Sequence, residues 1–375
     1  MKLKFNDLGA QWNCIKEEAL PRITDLLERG WYIGGPEVER FENNFANYTD
    51  TKHAVGVSNG TDALKLCIQV LELHGCVDVI MPANTYIADP LSVWHQCNPK
   101  CKYNITLIDC DEYYQIDHLL LKSYLSARCS DVFDHTIILP VHLYGHPVNM
   151  ECVMKTAEQY NCFVIEDASQ AHGAVCNGVM VGRFGHMCAY SLYPGKNLGA
   201  AGDAGIITTN DDTYCDKLKA LRNYGSYVKY HNDLHGWNNR LDPLQAVILD
   251  EKLKHLDSWN EHRNHHAKDY AHLLKHNTAV ILPKTAKYVD KNVYHIYTIR
   301  VKERDKLQKF LSDNNIPTVI HYPVPLQKSK IFNYLDTGND KTVEYADQLL
   351  SLPMHPFMTS MEVQYICDTI NKFYL

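Results

Sequence analysis

Lys196 is the residue of this sequence whose surroundings most clearly predict covalent chemistry. It stands in SLYPGKNLGAAGDAG (191–205), after a serine and before a run of glycines. A lysine amine that bonds to a carbonyl carbon must lose its proton near neutral pH, so it has to be partly removed from water. Glycines beside it let the backbone turn tightly against a flat ligand. Taken alone, the segment also fits a surface lysine or a nucleotide loop, although the Walker spacing G-x-x-x-x-G-K-[ST] is absent.

Asp167 is a second candidate, because it follows the apolar run Phe163-Val164-Ile165 in VIEDASQAHGA (164–174). A carboxylate at a buried strand end is costly unless a positive group faces it, and a protonated pyridine nitrogen is such a group. The same aspartate also fits a helix cap, because Ala168-Ser169 could begin a helix. The residues alone leave both interpretations open.

Two further segments could bind the rest of a phosphorylated aromatic ligand. VSNGTDALKL (57–66) predicts a strand, a Gly-Thr turn and a helix, whose free N–H groups and dipole attract an anion. PANTYIADP (82–90) places Tyr86 just beyond another strand, where its ring can stack on a flat ligand. Each feature is common by itself, since many α/β proteins contain such a turn and many tyrosines at strand ends only pack.

The hydrophobic pattern predicts the elements that position these residues. A first helical pattern ends at Gly30, and then short β-rich runs alternate with helical segments. The predicted strands are 53–57, 78–82, 102–109, 135–141, 161–167, 187–192 and 204–209. This alternation predicts an α/β fold with a mostly parallel central sheet wrapped by helices, in which ligands bind at the carboxyl ends of the strands.

A long helical pattern from Leu241 to Leu274 is expected to carry the chain out of the large domain. Beyond it, a strand at 294–301 and helices at 303–314, 340–350 and 359–372 predict a smaller α+β domain. We therefore expect a large domain of residues 1–240 and a small C-terminal domain of residues 241–375.

Composition excludes several classes of protein. A net charge of −7 over 375 residues argues against nucleic acid or an anionic membrane as a partner. The start, MKLKFNDLGAQW, does not resemble a signal peptide, and no apolar run is long enough to span a membrane, so we expect a cytoplasmic protein. The 13 cysteines include no Cys-x-x-Cys pair, the closest two being Cys97 and Cys101, and EHRNHHA (261–267) fits the wet face of a helix, so no metal site is predicted.

Together these segments resemble the sugar-aminotransferase group of fold-type I pyridoxal-phosphate enzymes, the DegT/DnrJ/StrS group. One segment would be a weak signal, but the ordered set is specific and runs nearly end to end. The matching segments are FNDLGAQW, WYIGGPEVERFE, NGTDALKL, PANTYIA, PVHLYGHPVNM, EDASQAHGA, SLYPGKNLGAAGDAG, RNYGS, GWNNRLDPLQAVIL, VYHIYTIR, IHYPVPLQ and LPMHP.

The resemblance implies a role for each matching residue. Lys196 would hold pyridoxal 5'-phosphate covalently and later move the proton, and Asp167 would pair with the pyridine nitrogen. Gln170 would bind the phenolic oxygen of the cofactor, and Tyr86 would stack on its ring. The phosphate would be held by Gly60, Thr61 and Ser191, and by Asn238 of a neighbouring subunit, which implies a homodimer with shared active sites. The sugar-nucleotide side would be lined by Tyr224, Tyr294, His295, His321 and Tyr322.

The resemblance also implies the reaction. L-Glutamate would convert the cofactor to pyridoxamine 5'-phosphate, which would aminate a nucleotide-linked keto-6-deoxy sugar. IHYPVPLQ followed by LPMHP resembles members that aminate C-3 of a dTDP-3-keto-6-deoxyhexose. The usual pattern has histidine after Pro-Leu, whereas Gln327 follows Leu326 here, so amination at C-4 of a dTDP- or UDP-4-keto-6-deoxyhexose stays open.

Functions of other classes predict features that this sequence does not have. Dehydratases of this fold lack the lysine, and a non-catalytic sensor or scaffold would have a degraded set of cofactor residues. A Rossmann dehydrogenase would need G-x-G-x-x-G after the first strand, and GVSNGTDAL does not supply it.

Overall fold

The computed structural model describes residues 3–96, 98–128, 132–335, 338 and 340–375. The helices are α1 (Leu8–Arg29), α2 (Pro36–Thr49), α3 (Gly60–Gln69), α4 (Ala88–Trp94), α5 (His118–Ala127), α6 (Met150–Gln159), α7 (Asp212–Leu221), α8 (Pro243–Leu253), α9 (Leu256–Leu274), α10 (Arg304–Asp313), α11 (Asp340–Gln348) and α12 (Ser360–Phe373). The strands are β1 (His53–Val57), β2 (Gly75–Pro82), β3 (Cys101–Ile108), β4 (His135–Ile138), β5 (Phe163–Asp167), β6 (Val175–Cys176), β7 (Val179–Met180), β8 (Met187–Ser191), β9 (Gly205–Thr209), β10 (Ser226–Val228), β11 (His231–Asn232), β12 (Val289–Lys291), β13 (Tyr297–Arg300) and β14 (Leu349–Leu352).

The central sheet has seven strands in the order β1-β9-β8-β5-β4-β2-β3. The five strands from β8 to β3 run parallel, whereas β9 runs antiparallel to both β1 and β8. As a result, β1 points the same way as β8, and six strands end at one edge of the sheet. The predicted α/β class and mostly parallel sheet are confirmed.

Each face of this sheet is covered by its own hydrophobic cluster. Along β2, Val79 and Met81 pack with residues of α3 on one face. Ile80, between them, points to the other face and packs with Val164 and with residues of α5 and α6. Helices on both faces explain why these strands are apolar runs instead of alternating ones.

The long helical pattern predicted for 241–274 is two helices, α8 and α9, separated at Lys254–His255. Leu249 of α8 packs into the cluster beside the sheet, and Tyr270 of α9 packs into the C-terminal cluster. The chain therefore changes packing partner where the helix breaks. The division into domains 1–240 and 241–375 stays a prediction.

Three further expectations are corrected. The helix predicted at 340–350 ends at Gln348, because Leu349–Leu352 form β14, which pairs antiparallel with β13 and buries its side chains. The strand predicted at 294–301 is only Tyr297–Arg300. EHRNHHA is not a wet face throughout, since Arg263 and His266 lie on the buried stripe of α9.

The structure also bears on membranes, thiols and metals. Among the described residues, no helix combines the length and apolar character that crossing a bilayer needs. The cysteines in the described ranges are free thiols, and most of them are buried. Cys97, one of the closest pair in the sequence, lies outside the described residues. Within those ranges, no three histidine, cysteine or acidic side chains converge as metal ligands.

Candidate active site

Lys196 lies in the loop that follows β8, at the edge where the parallel strands end. Its N–H donates to the carbonyl of Tyr193 at 2.8 Å, which closes a tight turn. Burial lowers the pKa of the amine to about 8, and the nearby carboxyl groups of Asp167 and Asp89 oppose this shift. The amine can therefore lose its proton near neutral pH, as carbonyl chemistry requires.

Asp167 is the last residue of β5 and pairs in register with Ala189 of β8. Its carboxylate is buried and accepts the N–H of Ser169 at 2.8 Å. No helix follows, because the next regular element is β6 at Val175–Cys176. The helix-cap interpretation of Asp167 is therefore wrong, and the side chain is a buried carboxylate close enough to Lys196 to affect the pKa of its amine.

The turn predicted to bind an anion forms where β1 leads into α3. The side chain of Asn59 caps the helix by accepting the N–H of Asp62 at 2.8 Å. Gly60 packs so closely on Ser191 that a Cβ at position 60 would lie 2.7 Å from the Cβ of Ser191. The structure thus brings together Gly60, Thr61 and Ser191. Thr61 and Ser191 carry hydroxyl groups, and both lie beside the N–H groups at the start of the helix, which can bind an anion.

Gln170 connects the edge of the sheet where the parallel strands end to the C-terminal part of the chain. Its Oε1 accepts the N–H of Tyr144 at 2.7 Å, and its Nε2 donates to the hydroxyl of Tyr322 at 3.1 Å. The ring of Tyr86 lies 5.2 Å from that of Tyr322, and about half of its surface is exposed. Tyr86 therefore offers an open aromatic face at the same edge.

Two neutral imidazoles face the lysine. His295 Nδ1 is 3.1 Å from Oδ1 of Asn197, and His321 Nδ1 is 2.9 Å from Oγ of Ser351. Burial, and then the charge of Lys196, lowers the pKa of His321 to about 4 and the pKa of His295 well below its usual value. Both rings are therefore uncharged at neutral pH and can hydrogen-bond a polar ligand.

The remaining predicted residues make no direct hydrogen bond to Lys196 or Asp167 in the described part of the chain. Tyr224 and Asn238 belong to an exposed segment, where the N–H of Tyr224 donates to the carbonyl of Trp237 at 2.8 Å. The hydroxyl of Tyr294 is 3.2 Å from that of Thr285.

Two residues that sequence reasoning missed join the site. Asn239, and not Asn238, is buried and donates from its side chain to Oγ of Ser58 at 3.2 Å, next to the turn between β1 and α3. Asp89 is fully buried beside Asp167. An adjacent Asn-Asn pair gives no sequence signal of which member turns inward, and an acidic residue in a predicted first helical turn is expected to be solvated.

Comparisons with known proteins place this geometry in context. A model of the DegT/DnrJ/EryC1/StrS aminotransferase family matches residues 13–371. The chain is 41% identical over 361 residues to dTDP-3-amino-3,6-dideoxy-alpha-D-galactopyranose transaminase of Aneurinibacillus thermoaerophilus, covering 96% of each chain. It is 36% identical over 375 residues to dTDP-3-amino-3,4,6-trideoxy-alpha-D-glucose transaminase of Streptomyces venezuelae, covering 99% of this chain and 96% of that one. The crystal structure of S. venezuelae DesV in complex with a ketimine intermediate superposes with a TM-score of 0.92 at 36% identity, over 99% of this chain and 98% of that one.

Proposed function

This chain belongs to the DegT/DnrJ/EryC1/StrS aminotransferase family, and from that premise we propose that it transfers an amino group from L-glutamate to a nucleotide-linked keto-6-deoxy sugar. We assign C-3 of a dTDP-3-keto-6-deoxyhexose as the carbon that receives the amine. Two relatives at 36% and 41% identity are named as transaminases of 3-amino dTDP sugars. The segments IHYPVPLQ and LPMHP favour the same carbon.

As a member of this family the chain is pyridoxal-phosphate-dependent, and its residues fit that cofactor. When bound, the cofactor supplies a carbon that carries the amino group and a protonated ring that withdraws electrons. The buried carboxylate of Asp167 matches a cationic ring nitrogen, and the turn at Gly60, Thr61 and Ser191 matches a phosphate. Lys196 supplies an amine that can deprotonate near neutral pH.

The observation that carries the proposal is the position of Lys196, with its lowered pKa, close to the buried carboxylate of Asp167. In each half-reaction this one amine does the proton transfer. It takes the proton from the α-carbon of glutamate, and it later delivers a proton to the sugar carbon that receives the amine. An arginine could not do this, because its guanidinium stays protonated.

We propose that the keto sugar lies against His295 and His321, with Tyr322 beside them. Neutral imidazoles can donate or accept hydrogen bonds to sugar hydroxyls and do not add charge next to Lys196. Gln170, which donates to Tyr322 at 3.1 Å, would connect the cofactor oxygen to this sugar side. We assign Tyr224 and Tyr294 to the outer, nucleotide side of the same site.

We also propose a homodimer in which Asn238 binds the cofactor phosphate of the partner subunit. Support comes from large apolar side chains that are at least half exposed in the loop after α1, in the loops after β2 and β8, and on and beside the hairpin of β10 and β11. They are Trp31, Tyr32, Ile33, Tyr86, Tyr193, Tyr224, Tyr227, Val228 and Tyr230. Exposed apolar side chains in this number favour an interaction surface, and Asn238, which follows the hairpin in the chain, is exposed as well.

A substrate panel tests the proposal. The holoenzyme is incubated with L-glutamate, with L-aspartate as the control donor, and then with dTDP-linked 3-keto-6-deoxy and 4-keto-6-deoxy hexoses. We expect 2-oxoglutarate and an amino sugar from the 3-keto substrate, detected by mass spectrometry. Amination of the 4-keto sugar alone would overturn the assignment of C-3. Turnover of glutamate without amination of any nucleotide sugar would overturn the acceptor class.

A further inference from the structure

Asp89 is a buried acid without enough hydrogen-bond donors. It lies in the first turn of α4, directly beyond β2, and is 0% exposed. Its Oδ2 accepts the hydroxyl of Thr85. Its Oδ1 is also buried, and no donor among the described residues reaches it. An ionised carboxylate in such a place would be costly, because water is excluded and one oxygen stays unpaired.

The carboxyl group of Asp167 lies within hydrogen-bonding reach of the Asp89 carboxyl group. Two carboxylates in contact in a buried site cannot both be ionised, so one of them keeps a proton. Burial, and then the charge of Asp167, raises the pKa of Asp89 well above its usual value, and Lys196 only partly opposes this. Burial also raises the pKa of Tyr322, Cys67 and Cys188, which lie near the pair, so all three stay neutral.

We place the shared proton on Asp89, because the surroundings of the two carboxyl groups differ. Asp167 already accepts the N–H of Ser169 at 2.8 Å and lies near the amine of Lys196. Among the described residues, Asp89 has one hydroxyl donor and no cation in hydrogen-bond contact. A proton on the Asp89 carboxyl group lets it donate to Asp167, which would account for the buried oxygen that otherwise lacks a partner.

We infer that Asp89 is a positioning residue whose neutral carboxylic acid donates a hydrogen bond to Asp167 and orients that carboxylate toward the pyridine nitrogen of the cofactor. This inference rests on the role proposed above for Asp167. This hydrogen bond would stabilise the negative charge on Asp167. The proton shared between Asp167 and the pyridine nitrogen would therefore stay on the nitrogen.

The first test measures the stability of the cofactor-free protein as a function of pH. A group whose pKa is raised by folding stabilises the protein fully below its unfolded pKa of about 4, and this contribution is lost as pH rises toward the folded pKa. The unfolding constant of wild type relative to Asp89→Asn should therefore rise about tenfold per pH unit above pH ~4 and then level off. Parallel pH profiles of the two proteins would overturn the inference.

Asp78→Asn is the matched control for this test. Asp78 is also fully buried, but its carboxylate accepts from Arg128 at 3.0 Å and from Asn104 at 2.9 Å. Removing its charge leaves Arg128 without its partner, so we expect Asp78→Asn to be less stable than wild type at pH 7, whereas Asp89→Asn is more stable. An Asp89→Asn protein that is destabilised like the control would contradict a neutral Asp89.

The second test follows the cofactor. Asp89→Asn keeps an N–H donor and should retain the wild-type absorbance spectrum, whereas Asp89→Leu removes the donor. We expect Asp89→Leu to move the pH midpoint of the cofactor absorbance by about one unit and to weaken pyridoxal-phosphate binding roughly tenfold. If Asp167→Asn leaves the spectrum unchanged, the role of Asp167 fails. If Asp167→Asn changes it and Asp89→Leu does not, only the inference about Asp89 fails.

Discussion

Asp167 and Asp211 make the same local contact in different surroundings. Each carboxylate accepts the N–H of the residue two positions later, at 2.8 Å from Ser169 and 2.7 Å from Thr213. Asp211 caps α7, whereas Asp167 caps no helix and lies near Lys196. Substituting each aspartate in turn therefore distinguishes the effect of losing a helix cap, at Asp211, from the effect of losing a charge near Lys196, at Asp167.

We expect Asp167→Asn to slow both half-reactions by about 100-fold or more, because the amide keeps the local contact but removes the charge that we propose pairs with the ring nitrogen. Stopped-flow absorbance with glutamate, and then with the keto sugar, measures the two rates. Asp211→Asn is the control and should stay within about twofold of wild type, since asparagine caps helices as well as aspartate. Equal rates for Asp167→Asn and wild type would contradict the role of Asp167.

Among the elements, the close contact between the start of α3 and the end of β8 forms the turn that we propose holds the phosphate. Gly60→Ala would put a Cβ 2.7 Å from the Cβ of Ser191, so the helix start has to move. We expect a loss of stability of about 1–3 kcal/mol and weaker pyridoxal-phosphate binding, measured by thermal unfolding of the cofactor-free protein and by titration with the cofactor.

The control for this change is Gly9→Ala, in the first turn of α1. The nearest atom to the added Cβ would be Oδ1 of Asp7 at 3.5 Å, an ordinary contact. This variant should bind cofactor normally and be as stable as wild type or slightly more stable, because alanine favours a helix. Unchanged cofactor affinity in Gly60→Ala would show that the turn does not hold the phosphate.

Elements with local signals could be predicted from the sequence, and those fixed by distant contacts could not. Gly30 ends α1 in a left-handed conformation, at φ 68°, as the pattern predicted. The break between α8 and α9 has no glycine or proline, because it depends on which cluster each helix packs against. The same holds for Asp89, whose neighbour Asp167 is distant in sequence and meets it only in the folded sheet.

At the scale of the whole molecule, the proposed sharing of active sites predicts complementation between inactive variants. Lys196→Ala lacks the amine, and Asn238→Asp would place a negative charge against the partner's phosphate. A mixed dimer has one site with both wild-type residues, so refolding the two variants together should restore activity that neither shows alone. About a quarter of the wild-type activity is expected from random pairing of equal amounts of subunits.

Asn239→Asp is the control for this experiment. Asn239 donates to Ser58 of its own chain at 3.2 Å. The Asn239→Asp substitution therefore damages the active site that contains Lys196 of the same subunit. Mixing Asn239→Asp with Lys196→Ala should leave no site intact and restore no activity. Recovery with both asparagine variants, or with neither, would contradict an Asn238 that acts across the interface.

Borohydride reduction of the holoenzyme, followed by peptide mapping, shows which lysine carries the cofactor. Lys252 is an internal control, because burial lowers its pKa to about 8 as well, but its amine donates to the carbonyl of Gly199 at 2.6 Å and to Oε1 of Gln11 at 3.1 Å. We predict a reduced pyridoxyl group on Lys196 and none on Lys252. A label on another lysine, or a Lys196→Ala protein that still turns over keto sugar at the wild-type rate, would contradict the role proposed for Lys196.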